Sequence, residues 1–279
     1  MPSPPSQLHH RLLNKSELRL ALARTTLGGS QLLAQTLTVI TETASTNDDL
    51  VALARDGAVE GSALVAERQT SGKGRYDRAW ISPPSSGLTF SMLLRPEVPM
   101  PRWGWLPLLA GVAVTHALAE RCGVSPVLKW PNDVLLAAPP RKVAGILAVV
   151  VPVPRPALVL GIGLNVNAEP DQLPGPEATS LSMELRAPVD RAGLLVAILR
   201  ELAARYERWR DNDGDADSAG LRHEYRRYSH TLGTHVTLKL PDGSDIAGQA
   251  LDVDVTGRLV VATETGLVQV AAGDVLNVR

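Results

Sequence analysis

Three clusters of residues in this chain have types and spacing suited to chemistry. The first is Gln69-Thr70-Ser71-Gly72-Lys73-Gly74-Arg75-Tyr76-Asp77-Arg78-Ala79-Trp80, in which Lys73, Arg75 and Arg78 are interleaved with Gly72 and Gly74. Glycine lets the backbone approach an anion closely, and successive N–H groups then form a concavity for it. The stretch therefore reads as a phosphate-binding loop, with Trp80 offering a flat face to a base. It is not a Walker A loop, because the leading glycine and the Lys-Ser/Thr ending are absent. A solvated basic hairpin carrying a core tryptophan is the plain alternative, and composition alone does not choose between them.

The second cluster is Lys129-Trp130-Pro131-Asn132-Asp133, followed by Arg141-Lys142-Val143-Ala144-Gly145-Ile146-Leu147. A strand carries a cation to a proline-limited corner where an amide and a carboxylate emerge together. Asn132 and Asp133 are also ordinary turn residues. Lys142 opening an apolar strand is harder to dismiss, since burying an ammonium requires an anionic partner. The third cluster, Gly161-Ile162-Gly163-Leu164-Asn165-Val166-Asn167, has Val166 where a dinucleotide fingerprint needs its third glycine, and no helix follows. A glycine-containing strand edge ending in a turn asparagine is the plain reading there. His116 reads as a packed helix residue, Arg222, Arg226 and Arg227 as a solvated helix face, and His9-His10 as part of a ragged N-terminus. Neither a Gly-x-Ser-x-Gly elbow nor a His-Glu-x-x-His pair occurs.

The elements that must hold these clusters follow from periodicity. Residues 1–7 are Pro/Ser-rich, and Leu8–Arg24 has helical spacing through Leu12, Leu20 and Leu22 until Gly28-Gly29. A short strand over Thr38–Thr41 leads to a helix opening at Asp48-Asp49, capped by Ser45 or Thr46 and ended by Gly57. Ala63–Ala66 and Leu88–Leu94 read as strands, and Val127–Trp130, Val143–Val151 and Leu158–Val166 as apolar runs short enough to be buried strands. Trp105–Arg121 and Arg191–Trp209 read as long helices, the first closed by Gly123 and the second capped by Asp190. From His235 the pattern alternates with period two, turning at Pro241-Asp242-Gly243, Thr256-Gly257 and Thr265-Gly266, which predicts a small β-barrel. The expected division is an N-terminal extension over 1–37, a catalytic domain over 38–230 and the barrel over 231–279.

Composition sets outer limits. Of 279 residues, 44% are apolar and 20% charged, a globular balance, and the net charge of −1 gives no general pull toward nucleic acid. Cys122 is the single cysteine, which rules out an internal disulfide and a thiolate metal cluster. No apolar run reaches the roughly 18 residues of a membrane span, and the N-terminus lacks the pattern of a signal peptide, so the cytoplasm is the expected address.

Taken in order, the motifs resemble the biotin protein ligase family. Its pattern runs Ser-Thr-Asn, then Gln, then Gly-Arg-Gly-Arg-x-x-Arg-x-Trp, then Lys-Trp-Pro-Asn-Asp, a lysine before x-Ala-Gly-Ile-Leu, and Gly-x-Gly-x-Asn. Here these read Ser45-Thr46-Asn47, Gln69, Gly72 to Trp80, Lys129 to Asp133, Lys142 to Leu147, and Gly161 to Asn165. Each motif is modest, and their ordered combination across residues 38–170 is specific. Two departures stand out: Lys73 replaces the first loop arginine, keeping charge but losing the bidentate fork, and Asp77 sits among the cations.

The resemblance implies an α+β fold, with a mixed-sheet catalytic domain similar to class II aminoacyl-tRNA synthetases and lipoate ligases and a C-terminal SH3-like β-barrel. It implies ATP and biotin as substrates, Mg²⁺ with the nucleotide, and a biotin carboxyl carrier protein domain as acceptor. Ser45, Thr46, Asn47, Gln69, Lys73, Gly74, Arg75, Lys142 and Gly145 would bind biotin. Gly72, Arg78, Trp80, Asn132, Asp133 and Asn165 would bind ATP, and Lys142, Arg75 and Lys73 would be catalytic. A lipoate or octanoate ligase is the nearest alternative. A DNA-binding repressor would need a helix-turn-helix module that residues 1–37 are too few to supply, so no specific DNA binding is expected. The chain is expected to be a monomer or homodimer.

Overall fold

The computed structural model describes residues 12–25, 36–80, 82–271 and 273–278. The N-terminal helix α1 spans Lys15–Thr25. Asn14 opens it, its Oδ1 accepting from Ser16 N at 2.9 Å and Glu17 N at 3.1 Å. Leu13, Leu18 and Leu22 are buried, whereas Leu12 and Leu20, expected on the packed face, point to solvent. Residues 1–7, Leu8 to Arg11 with His9-His10, and the Gly28-Gly29 stop lie outside the described residues, as does the Asp77 side chain.

The main sheet has the order β1-β2-β3-β7-β6-β5-β4. Its strands are β1 (Thr36–Thr43), β2 (Ser62–Gln69), β3 (Gly87–Leu94), β4 (Val127–Lys129), β5 (Asp133–Leu136), β6 (Arg141–Val151) and β7 (Ala157–Asn165). β1 and β2 run parallel, joined by helix α2 (Thr46–Arg55); the other ladders are antiparallel. β3 and β7 are buried along their whole length, which is why they read as continuous apolar runs. Leu88, Phe90, Met92 and Leu94 of β3 join the large core built with α3 (Trp105–Cys122) and α5 (Arg191–Asp211), while Leu93 belongs to a smaller cluster with Leu50 and Ala54 of α2. The period-two alternation within β3 therefore separates two faces that are both buried.

α3 ends at Gly123, which adopts φ +66 and donates to Ala119 O, and α5 begins at Asp190, whose side chain accepts from Ala192 N. Short α4 (Leu181–Leu185) and α6 (Leu221–Tyr228) complete the helices. β5 was not foreseen: Asn132 and Asp133 are indeed at the corner, but Asp133 starts a strand paired with both β4 and β6.

The C-terminal unit is a five-stranded antiparallel sheet, β11-β10-β9-β8-β12, from β8 (His235–Lys239), β9 (Asp245–Val253), β10 (Leu259–Thr263), β11 (Gly266–Val270) and β12 (Asp274–Val278). Register shifts at Val260/Val261 and Val275/Asn277 mark the irregularities that bend such small sheets. The β9–β10 turn and β9 itself help fasten it to the large domain. The β9–β10 turn takes Trp105 Nε1 on Asp254 O at 3.0 Å and presses so near the start of α3 that a Cβ on Gly104 would lie 2.2 Å from Thr256 O. Asp252 accepts from Arg222 at 2.6 Å and from Arg226 at 3.0 Å. Arg222 and Arg226 thus clamp α6 to β9, since Asp252 supplies a carboxylate from a distant strand, while Arg226 and Arg227 keep the exposure expected of a solvated face. Arg227 stacks over Tyr228. His116 is also less packed than expected, with 42% of its side chain exposed beside Glu201.

Candidate active site

A cavity of about 240 Å³ opens on the α2 side of the main sheet, beyond the first turn of α2. Its floor is made of glycines for a steric reason. Gly145 and Gly163 are register partners on β6 and β7, and Gly161 lies two residues along β7. A Cβ on Gly163 would lie 2.3 Å from Trp80 Cε2, and one on Gly161 would lie 2.2 Å from Asn47 Oδ1. The bare backbone lets the Trp80 indole and the Asn47 amide rest on the sheet. Gly161-x-Gly163 is therefore mid-sheet, not a strand edge, and its glycines make room for side chains from elsewhere.

One end of the cavity is a closed polar network. Ser45 caps α2, its side chain accepting from Asp48 N at 3.3 Å. The next residue, Thr46, donates from N (2.8 Å) and Oγ1 (3.0 Å) to Gln69 Oε1. Thr46 Oγ1 also lies 2.7 Å from Ser91 Oγ; Ser91 Oγ donates to Asn47 Oδ1 at 2.5 Å, and Asn47 Nδ2 donates to Leu147 O at 3.3 Å. With Oε1 engaged, the Gln69 carboxamide is fixed in orientation and its NH₂ is left to donate, a matched set for a buried polar ring. Ser91 was missed by sequence reasoning. The available signal was Thr89 and Ser91 two apart in the otherwise apolar Gly87–Leu94, the only hydroxyls in that strand.

The other end is cationic. Lys142 Nζ sits 2.6 Å from Asp133 Oδ1 and 5.9 Å from the Trp80 ring centroid. The anionic partner that a lysine at the head of an apolar strand required is therefore Asp133, delivered by the neighbouring strand. The Lys142 backbone is pinned by Glu177 O (2.7 Å) and Thr179 N (2.9 Å). The loop from Gly72 to Trp80 folds as a small hairpin, with Trp80 N on Gly72 O at 2.8 Å and Tyr76 at φ 54. Its cations all have carboxylate neighbours: Lys73 Nζ is 2.8 Å from Asp48, and Arg75 and Arg78 both reach Asp274.

Ser45, Thr46, Asn47, Gln69, Lys73, Gly74, Arg75, Arg78, Trp80, Asn132, Lys142 and Gly145 all line the cavity, together with Pro174 and Thr89, neither of which was foreseen. Gly72, Asp133 and Asn165 stand behind the wall. Gly72 is packed against Gln69 Nε2 and Trp80 O, where a Cβ would come within 2.5 Å. The Asn165 amide is turned to Thr179 O at 3.0 Å, bracing the segment beside Lys142 rather than facing a base. Among the described residues no carboxylate is in the wall itself, so that surface is complementary to anions.

Residues 38–167 match the biotin/lipoate A/B protein ligase family, and residues 231–276 match the biotin protein ligase C-terminal domain. The chain is 43% identical over 249 residues to the biotin–[acetyl-CoA-carboxylase] ligase of Mycobacterium tuberculosis, covering 87% of this chain and 89% of that one. The chain belongs to the biotin protein ligase family. A bifunctional ligase/repressor of Bacillus subtilis is 31% identical over 269 residues, covering 94% of this chain and 78% of the relative. Among solved structures, the biotin protein ligase of Aquifex aeolicus in complex with biotin and ATP superposes with a TM-score of 0.73 at 29% identity, over 88% of this chain and 99% of that one. The family's mixed-sheet catalytic domain with a small C-terminal β domain is the fold described above. No helix among the described residues is long and apolar enough to cross a membrane.

Proposed function

We propose that the cavity is where this biotin protein ligase condenses biotin with ATP, and that biotinoyl-5′-AMP formed there is passed to a lysine of a biotin carboxyl carrier domain. What carries the reading is a hydrogen-bonding network at one end of a glycine floor and an ion-paired lysine at the other. The Ser45–Thr46–Asn47–Gln69 network, ordered by Ser91, takes the ureido ring, and Lys142 takes the carboxylate. Lys73, Gly74, Arg75 and Arg78 meet the phosphates. Trp80 and Asn132 flank the base, with Gly72 and Asn165 supporting them from behind.

The reaction needs two anions brought together. A biotin carboxylate oxygen bonds the α-phosphorus as the bond to the pyrophosphate oxygen breaks. Lys142 and the loop cations offset the repulsion before the reaction and the charge that develops during it. Asp133 orients Lys142 across the 2.6 Å ion pair. The acceptor lysine, as free amine, then attacks the acyl carbon, and AMP leaves with the electrons of the broken C–O bond; no enzyme nucleophile is required. Mg²⁺ would add further neutralisation. The wall fits an ion held chiefly by the nucleotide's own oxygens, because the carboxylates beside it among the described residues, Asp48, Asp133 and Asp274, all face lysines or arginines. The cytoplasm, where carboxyl carrier domains and ATP meet, is the proposed setting.

Biotin-dependent ATP–pyrophosphate exchange, followed by labelling of a carrier domain, tests the assignment. Exchange driven by lipoate and not by biotin would overturn the assigned acid.

A further inference from the structure

Arg75 and Arg78 belong to the glycine-bearing loop, yet neither is free to choose its direction. Arg75 Nη1 donates to Gly273 O at 3.0 Å and to Asp274 Oδ1 at 3.3 Å, and Arg78 Nη2 donates to the same Asp274 Oδ1 at 3.0 Å. Arg75 is nearly covered, with 15% of its side chain exposed. Between them Tyr76 is held at φ 54 with Arg75 4.8 Å and Arg78 5.9 Å from its ring centroid. One carboxylate from the other domain therefore organises both guanidinium groups.

That carboxylate comes from a firm base. Asp274 opens β12, which pairs with β8, and the sheet is fixed to the large domain by the Trp105–Asp254 bond, the Gly104–Thr256 contact and the Arg222/Arg226–Asp252 clamp. A loop with two glycines and a left-handed tyrosine is costly to order by itself. Each guanidinium has five N–H donors, so a bond to Asp274 leaves others to face the cavity that both arginines line.

We infer that Asp274 is a positioning residue for ATP, holding Arg75 and Arg78 at the cavity so that the phosphate-binding loop is ordered before the nucleotide arrives. The inference rests on the reading of that loop as the phosphate site. It makes the C-terminal β domain part of the ATP-binding apparatus through Asp274, beside the bond from Arg75 to Gly273 O.

The sign of the effect separates this role from simple charge repulsion. Removing a negative charge beside a polyanion site should by Coulomb's law tighten ATP binding. A lost positioning residue should weaken it. The full-length chain carrying Asp274→Asn, Asp274→Ala or Asp274→Glu is compared with the parent in biotin-dependent ATP–pyrophosphate exchange, with thermal midpoints measured in parallel. The expected result is a rise in KM for ATP of about tenfold for Asn and Ala, as for loss of charge-assisted hydrogen bonds. KM for biotin should stay within about twofold, and Glu should recover part of the loss. In an Arg75→Ala/Arg78→Ala background, adding Asp274→Asn should change nothing further. If Arg75→Ala/Arg78→Ala raises KM for ATP while Asp274→Asn leaves it unchanged or lowers it, Asp274 does not position the loop, and the loop reading stands. If the double arginine variant leaves KM for ATP unchanged, the phosphate reading falls and this inference with it. Loss of both KM values, kcat and thermal midpoint together, without recovery by Glu, assigns Asp274 to folding and overturns the inference.

Discussion

Lys142 and Gly163 define the site from opposite physical requirements, a charge that must be present and a side chain that must not be. Lys142 is held 2.6 Å from Asp133 and pinned through its backbone, the arrangement of a charge fixed in advance of reaction. Lys142→Ala should slow adenylate formation by roughly 10²-fold, as for other lost preorganised charges; a rate within a few-fold of the parent would remove it from the reacting centre. Gly163→Ala is the complementary test. Its Cβ would lie 2.3 Å from Trp80 Cε2, so the indole must leave the floor. Trp80 is a partly buried cavity residue outside the main hydrophobic core, and the fold should survive its displacement. Calorimetry should show ATP affinity falling by about tenfold or more, the scale of a lost aromatic contact and its ordering; unchanged affinity would mean the indole is not part of the nucleotide site.

The helix α2 shows how an element's own stability and the site's chemistry share one side chain. Ser45 caps the helix through Asp48 N and also lines the cavity. The two roles separate by substitution, because glycine at an N-cap costs a few tenths of a kcal/mol and alanine about 1 kcal/mol. Ser45→Ala and Ser45→Gly should weaken biotin binding alike, while chemical denaturation should detect the stability loss mainly in the alanine variant. Equal stability losses with biotin affinity intact would reduce Ser45 to a cap. The helix itself was legible from Ser45-Thr46 before Asp48-Asp49, and the strands from their apolar runs. β5 was not, since four residues at a turn carry too little periodicity to declare a strand, and its pairing with β4 and β6 is what makes it one.

At the scale of the whole molecule, the joint between the two domains contains a titratable clamp. Burial opposes ionisation of Asp252, but hydrogen bonds from Arg226, Arg222 and Val253 N more than offset it, bringing the carboxyl down to about 2 from its usual 3.8. A carboxylate lowered on folding contributes stability that is fully present above pH 4 and is lost as pH falls toward 2. Arg226 is half exposed, so solvent screening limits the contribution to about 1 kcal/mol. Asp252→Asn should therefore be less stable than the parent at pH 7 and at pH 5. The gap should close progressively below pH 4, as followed by denaturant unfolding. A gap independent of pH down to 2 would show that the clamp does not depend on the Asp252 charge. The same joint carries Asp274 to the loop, so loosening it should also raise KM for ATP.

Local order was written in the sequence: a cap at Ser45 or Thr46 and one at Asp190, the stop at Gly123, the strands, and the period-two pattern after His235. So were most cavity residues, because phosphate, carboxylate and polar-ring recognition each restrict the residue types that can serve. The ordered motifs also identified the family. What the tertiary structure decided were partnerships between residues far apart in the chain. Gly161 and Gly163 looked like a strand edge until Asn47 and Trp80 were found lying on them. Asp252 meets Arg222 and Arg226, and Asp274 meets Arg75 and Arg78, across long stretches of chain. Periodicity reports which face of an element is buried, but a charge or a missing Cβ acquires its meaning from whatever the fold brings within a few ångströms of it.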